Sequence, residues 1–292
     1  MANAVFKQEF WRKEINNELD RLGGLKDHSD LSYTGDVKGG HTLHITGSVR
    51  PAVGDYTPGN DISFETVAGT GMDLVINQKK YATQLFDDVD KAQSIPGVME
   101  NAVREMAKEL HYEADKYVAS VLKSAVESGV AYTDKNGDSA TATIAAEASA
   151  SQVSKDNALT RIDAGLVKLY ENDVAPTTEV YGEFSPSYYG FIRAAVTPLL
   201  TNNIELAKKG IVGKYNNVNV CISNALPKNG STRYNFLRTG RAVAFAGQVD
   251  SLESGRAEKQ FADYVKALYV FGSRVVRPKE IYAIKETVQG SI

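Results

Sequence analysis

The stretch SIPGVMENAVREMAKELHYEADKYVASVLKSAVESG, residues 94 to 129, carries the strongest periodic pattern in the chain. Ser94 followed by Pro96 suits the first turn of a helix, and Gly129 suits its end. Between them, apolar side chains recur every three or four residues and form one continuous stripe. The pattern predicts a long helix over residues 95–128 with a buried stripe, whose core positions are Met99, Val103, Met106, Leu110, Tyr117 and Val121.

The same helix carries a dense group of charged residues, ELHYEADKY, at positions 109–117. Because each helical residue turns the side chain by about 100°, Glu109 and Glu113 share a face, whereas His111 points about 200° away from Glu109. These three side chains cannot complete one metal coordination shell. We interpret them as a solvated charged face, and the sequence predicts neither a metal site nor a cofactor.

Two other stretches superficially resemble metal sites. His41 and His44 lie three residues apart in a predicted strand, where that spacing sends side chains to opposite faces. DKNGD, at 134–138, resembles the start of a calcium loop, but Ser139 stands where the loop needs glycine and Ala145 where it needs glutamate. An Asn-Gly hairpin turn is the predicted structure there.

Composition and motifs argue against several classes of function. With 33 basic and 36 acidic residues, the formal net charge of −3 gives no field that would steer the chain onto nucleic acid. The single cysteine, Cys221, excludes an internal disulfide and is predicted to be a small buried hydrophobic side chain, while His28 lies alone in a polar loop. Nucleotide-binding, hydrolase and metalloprotease motifs do not occur, so no catalytic residue is predicted. No apolar run reaches the ~18 residues of a membrane span.

Extended structure is predicted before the long helix. Residues 1–40 begin with apolar side chains at near-helical spacing and read as an amphipathic arm. HTLHITGSV and MDLVINQ then alternate apolar and polar residues, as in the two strands of a β-hairpin over 41–80. RPAVGDYTPGND, residues 50–61, is rich in proline and glycine and predicts an exposed tip, whose candidate contact residues are Arg50, Asp55, Tyr56 and Asp61.

The second half of the chain mixes helices and strands. A helix is predicted through Leu159 to Leu169, and a second helix begins at Ser185 and Pro186, because a capping residue precedes an early-helix proline. FADYVKALYVFGSRVVRPKEIYAIK, residues 261–285, is rich in aromatic and β-branched residues and predicts long strands interrupted at Gly272 and Pro278. The predicted class is α+β.

The order of these parts resembles the major capsid proteins of tailed bacteriophages, which share the Hong Kong 97 capsid fold. The hairpin 41–80 is similar to the extended loop of that family and the helix 95–128 to its spine helix. The stretch ALYVFGSRVVRP is similar to the closing segment of the family. The resemblance spans nearly the whole chain and rests on the order of elements more than on signature residues.

The resemblance implies a domain organisation and a set of partners. It implies an N-terminal arm (1–40), an extended loop (41–80), a peripheral domain (81–157 and 233–292) and an axial domain (158–232). As partners it implies other copies of the chain in pentamers and hexamers, a scaffolding protein, a portal, and packaged double-stranded DNA bound without sequence specificity. The resemblance places the protein in the virion capsid, assembled in the cytoplasm of the host bacterium without a membrane partner.

Two alternatives remain at the level of sequence. Encapsulin nanocompartments share this fold and enclose enzyme cargo. An unrelated soluble enzyme would instead need a polar, concave site, which no motif in this sequence indicates. Neighbouring genes for a portal and terminase would indicate a phage, and a gene for a cargo enzyme would indicate a compartment.

Overall fold

The computed structural model describes residues 24–37, 42–48, 53, 55, 69–87, 98–134, 136–196, 213–259 and 261–288. Three α-helices lie between runs of strands along these ranges, which confirms the predicted α+β class. The α-helices are α1 (Val98–Ser128), α2 (Ala158–Glu171) and α3 (Pro186–Val196). The strands are β1 (Thr42–Ser48), β2 (Gly69–Val75), β3 (Gln78–Asp87), β4 (Val130–Thr133), β5 (Ser139–Ala142), β6 (Ala145–Ala146), β7 (Val180–Phe184), β8 (Lys214–Tyr215), β9 (Val218–Ile222), β10 (Lys228–Asn229), β11 (Thr232–Thr239), β12 (Val243–Arg256), β13 (Ala262–Val275) and β14 (Ile281–Thr287).

Three sheets organise the described strands. The first has the order β1-β2-β4-β5, and the third has the order β12-β13-β3. The second and largest runs β6-β14-β11-β7-β9-β8, with β10 paired to β11. Most neighbours are antiparallel, but β7 pairs with β9, and β14 with β6, in parallel.

The long helix α1 buries its apolar stripe against the third sheet. Val103, Met106 and Leu110 are 1 to 4% exposed, and Tyr117 and Val121 pack at the margin of the same core. This core also receives Phe245 and Phe271 from β12 and β13, together with buried side chains from β11 and β14. Met99 belongs to the helix, but its side chain lies outside the described residues, as do Ser94 and Pro96.

A second core lies between the helices α2 and α3 and the seven-stranded sheet. Ile162, Leu169 and Tyr188 are fully buried there. The predicted start of α3 is confirmed, because the hydroxyl of Ser185 accepts the backbone N–H of Tyr188 at 3.1 Å and Pro186 is the first helical residue.

Two short turns also follow the sequence pattern. The β4–β5 hairpin turns at Asn136 and Gly137, where Gly137 has φ +87° and the Asp134 carboxylate accepts the backbone N–H of Asn136 at 2.8 Å. This confirms the hairpin turn predicted for DKNGD. The β8–β9 hairpin turns at Asn216, which adopts φ 49°.

Strand β13 departs from the prediction. It runs from Ala262 to Val275 and stays paired with β12 through Gly272, so the predicted interruption at that glycine is wrong. A Cβ at Gly272 would lie 2.9 Å from Ile76 Cα, because the backbone between β2 and β3 crosses the strand there. The glycine therefore permits a close approach of two backbones and does not end a strand.

The predicted interruption at Pro278 is confirmed by a 3-10 turn, Pro278–Glu280, between β13 and β14. The Glu280 carboxylate accepts hydrogen bonds from the hydroxyl of Thr239 and from Nε of Arg241, the latter at 2.9 Å. Burial raises the pKa of Glu280, but these hydrogen bonds outweigh it and leave the pKa below its usual value.

Candidate assembly interface

The described base of the β1–β2 hairpin is anchored to the third sheet. At its base Ile45 is 8% and Leu74 0% exposed, packed with Ile76 against β12 and β13, whereas Thr42, His44 and Asp73 face outward. Beyond Ser48, paired with Gly69, the described part of the chain contains only isolated tip residues. Among the described residues, the core contacts of the hairpin come from its first few residue pairs.

The tip of this hairpin presents exposed side chains. Val53 is 97% exposed, and Asp55 is also exposed. The other three candidate contact residues, Arg50, Tyr56 and Asp61, lie outside the described residues. The predicted role of all four in contacts between subunits stays a prediction.

Arg274 of β13 ties the hairpin base to the body of the protein. Its Nη1 donates to the carbonyl of Asp73 at 2.7 Å, and its Nη2 donates to the carbonyl of Ala131. One guanidinium thus joins β13, β2 and β4. Between β2 and β4, the strand pairing in the described residues consists of the single pair Gly71 and Thr133. An open groove of about 260 Å³ lies beside Arg274, between the hairpin base and the C-terminal half of α1.

Exposed apolar side chains lie on the third sheet, at positions that sequence reasoning missed. On the edge strand β3, Tyr81 is 77% and Leu85 51% exposed on the same face, and Phe261 is 82% exposed in the turn between β12 and β13. Tyr81, Thr83 and Leu85 alternate with their neighbours, and this period of two could have predicted a shared strand face on β3. Phe261 is surrounded by charged and polar residues in the sequence, and no periodic pattern includes it. Exposed apolar patches and unpaired strand edges are typical of association surfaces.

His111 points away from Glu109, as the helical wheel predicted, but it is buried and not solvated. Its side chain is 6% exposed, and its Nε2 lies 3.3 Å from Asp115 Oδ2 and 3.9 Å from Asp27 Oδ2. The segment around Asp27 crosses α1 at this point and covers the histidine, which a helical wheel of α1 alone cannot reveal. Burial raises the pKa of Asp27 above its usual value.

The two glutamates of the same motif are surface groups, as predicted, whereas its third carboxylate, Asp115, is buried beside His111. Glu109 is exposed, and Glu113 accepts from Lys116 at 2.7 Å and pairs with Lys80 at 3.2 Å. The hydrogen bond from Lys116 lowers the pKa of Glu113. No cluster of three or more histidine, cysteine or acidic side chains suited to a metal ion occurs within the described ranges.

His28 and Cys221 also differ from their sequence interpretations. His28 does not lie alone in a polar loop. Its ring stacks on Tyr181 with centroids 4.5 Å apart, and its Nε2 lies 3.7 Å from the sulfur of Cys221, which is half-buried. The neighbouring Glu183 pairs with the fully buried Arg238 at 2.6 Å. Residues distant in sequence form this polar group, so no local motif could have revealed it.

The described helices include none that is both long and apolar enough to cross a membrane.

Comparison with known proteins supports the architecture. No family model and no curated protein matches the sequence. A solved structure from Mycobacterium phage Che8 is similar with a TM-score of 0.69 and 24% identity, over 88% of this chain and 89% of that one. The capsid structure of the cyanophage P-SCSP1u is similar with a TM-score of 0.69 and 15% identity, over 87% and 85% of the two chains.

A virus-like particle from Pyrococcus furiosus is also similar, but less closely. Its crystal structure matches with a TM-score of 0.58 and 11% identity, over 95% of this chain and 99% of that one. The chain therefore has the α+β fold found in solved phage capsids.

Proposed function

We propose that this chain is a major capsid protein of a tailed bacteriophage, which self-assembles into the icosahedral shell that encloses the phage genome. The observation that carries the proposal is the match to the cyanophage capsid, which covers 87% of this chain and 85% of the other. A capsid subunit has no need of a reaction site. We therefore propose a structural role and no enzymatic one.

The named elements of the capsid fold are assigned as part of this proposal. Helix α1 serves as the spine helix, residues 41–80 as the extended loop and residues 1–40 as the N-terminal arm. The peripheral domain comprises 81–157 and 233–292, and the axial domain comprises 158–232. The two cores support this division, although β11 and β14 from the peripheral part share a sheet with β7 and β9 from the axial part.

The exposed surfaces support assembly from many copies. The exposed tip residues Val53 and Asp55 and the exposed apolar side chains of strand β3 gain stability when neighbouring subunits cover them. The partners that we propose are copies in pentamers and hexamers, a scaffolding protein, a portal, and double-stranded DNA on the inner face. Because a net charge of −3 gives no field that would bind DNA tightly, the proposed role toward DNA is enclosure without sequence recognition. The proposed location is the virion, after assembly in the cytoplasm of the bacterial host.

A compartment for enzyme cargo, as in encapsulins, is the second candidate. It is less well supported, since the virus-like particle from Pyrococcus furiosus matches with a TM-score of 0.58, whereas the Che8 and P-SCSP1u structures each match with 0.69.

The proposal is tested by expressing the chain alone and with the neighbouring scaffold gene, followed by sedimentation and negative-stain microscopy. Closed shells or ring-shaped capsomers are the expected products. Shells that enclose an enzyme encoded next to this gene would favour the compartment. A monomer under every condition, with no particle at any protein concentration, would contradict both assignments.

A further inference from the structure

Four polar side chains form a row across the seven-stranded sheet: Cys221, His28, Glu183 and Arg238. We call them the Cys221 row. His28 Nε2 lies 3.7 Å from the sulfur of Cys221, and His28 Nδ1 lies 3.5 Å from Glu183 Oε1. Arg238 donates to the same Oε1 from Nε at 3.1 Å and from Nη2 at 2.6 Å. The row thus places an imidazole between a thiol and a buried carboxylate.

Strand pairing fixes the thiol and the carboxylate side by side. β7 and β9 are parallel, and Glu183 is the direct partner of Cys221, so both side chains point to the same face of the sheet. Tyr181 lies two residues before Glu183, which places it on that face as well. Its ring stacks on His28 at an interplanar angle of 14°. His28 is therefore held over the thiol by contacts that do not depend on Cys221.

Arg238 holds the backbone of His28 in the same place. Its Nη1 donates to the carbonyl of His28 at 2.8 Å and to the hydroxyl of Ser29 at 3.2 Å, and its Nη2 donates to the carbonyl of Leu25. With a side chain that is 0% exposed, Arg238 needs a full anionic partner, and Glu183 supplies it. The segment that carries His28 is thus pinned to the sheet by a buried ion pair.

The electrostatics of the row favour a charged imidazole. Burial lowers the pKa of His28, but the sulfur of Cys221 and the carboxylate of Glu183 outweigh it and raise the pKa to about 9. Glu183 Oε2 and His28 Nδ1 are buried and have no hydrogen-bond partner among the residues that the structure describes. The row therefore retains unused hydrogen-bonding capacity next to a half-buried thiol. This combination is typical of a reactive site, whereas a purely structural core satisfies its buried polar atoms.

We propose that Cys221 is a reactive thiol, activated by the His28 imidazole that Glu183 and Tyr181 hold beside it, and that it forms a mixed disulfide with a low-molecular-weight disulfide such as oxidised glutathione. The thiolate is the nucleophilic form of cysteine, and a neighbouring imidazolium is the usual means of stabilising it. This inference does not depend on the capsid assignment.

The exchange step balances without any further oxidant. The Cys221 sulfur attacks one sulfur of the disulfide, whose sulfur–sulfur bond breaks as a new one forms to Cys221. The departing thiolate carries the displaced electron pair. It takes the proton that His28 releases once the anionic sulfur beside it has been converted into a neutral disulfide. One disulfide is consumed, and one mixed disulfide and one free thiol are produced.

The experiment measures how fast the purified 292-residue chain reacts with oxidised glutathione, by intact mass, from about pH 6 to about pH 9. Cys221 is the single cysteine, so every adduct reports on this site. The same chain unfolded in urea provides the reference thiol, which is only about 0.3% ionised at pH 6. We expect the folded chain to react at least about tenfold faster than the unfolded chain at pH 6, with a shallower dependence on pH.

His28→Asn removes the imidazole, and His44→Asn is the matched control because His44 is exposed on β1 and lies outside the row. We expect His28→Asn to lose at least about tenfold in rate at pH 6, whereas His44→Asn keeps the wild-type rate. The proposal is overturned if the folded wild-type chain reacts no faster than the unfolded chain at pH 6. It is also overturned if a folded His28→Asn variant, checked by circular dichroism, keeps the wild-type pH profile.

Discussion

Adding one methyl group at Gly272 tests the crossing of two backbones at the base of the hairpin. The substitution Gly272→Ala places a Cβ 2.9 Å from Ile76 Cα and 3.0 Å from the carbonyl carbon of Val75, and closer still to the carbonyl oxygen of Val75. All three are backbone atoms, which cannot move aside by a change of rotamer. Either β13 or the 75–76 segment must therefore shift.

The expected cost follows from the kind of atoms involved. Overpacking of a filled site typically costs about 1–3 kcal/mol, and we expect the upper half of that range here because the obstacle is backbone. The matched control is Gly190→Ala in α3, where a Cβ would meet no atom within 4 Å. There, removal of glycine from a helix should stabilise the fold by about 0.5–1 kcal/mol.

The assay is equilibrium urea unfolding of both variants at one protein concentration, since assembly makes apparent stability depend on concentration. Because the 75–76 segment joins β2 to β3, we also expect Gly272→Ala to reduce the yield of assembled particles. A Gly272→Ala variant that loses less than about 0.5 kcal/mol, the usual scatter of harmless substitutions, would refute the close approach on which this reasoning rests.

Three further predictions concern the helix, the hairpin tip and acid stability. Leu110→Ala should cost about 2–5 kcal/mol in urea unfolding, whereas Glu109→Gln on the exposed face should stay within about 0.5 kcal/mol, and equal effects would contradict the burial of the stripe. Asp55→Ala should leave the free energy of unfolding within about 0.5 kcal/mol but lower the yield of shells in sedimentation. A large loss of stability with a normal yield of shells would instead show that the tip packs against its own subunit. The lowered pKa of Glu280 means that its charge contributes stability above the unfolded-state pKa of about 4.3, which is lost as pH falls through the lower folded value. Glu280→Gln should therefore flatten the acid side of a melting-temperature profile, and an unchanged profile would contradict this.

Periodicity and local turn chemistry account for the part of the fold that the sequence predicts. The stripe of α1 and the cap at Ser185 each depend on residues within a few positions of one another, and both appear as expected. The same local reasoning fails at Gly272. There the glycine leaves room for the backbone of residues 75–76, which lie about 200 residues earlier in the chain. No local window of sequence contains both parts of that contact.

The two misread histidines show the same limit in the candidate sites. The helical wheel gives the direction of His111 on α1 correctly, but not the segment that covers that direction and carries Asp27. His28 belongs to that same segment, and its neighbours Glu183 and Cys221 come from two other strands. One piece of chain, residues 24–30, thus buries both histidines. The guanidinium of Arg238 holds this segment against the sheet by donating hydrogen bonds to the backbone carbonyls of Leu25 and His28. Its polar sequence predicts a solvated loop. The buried Arg238 guanidinium, the core side chain Leu25 and the Asp115 carboxylate, which accepts the backbone N–H of Lys26 at 2.9 Å, together hold this segment inside the fold.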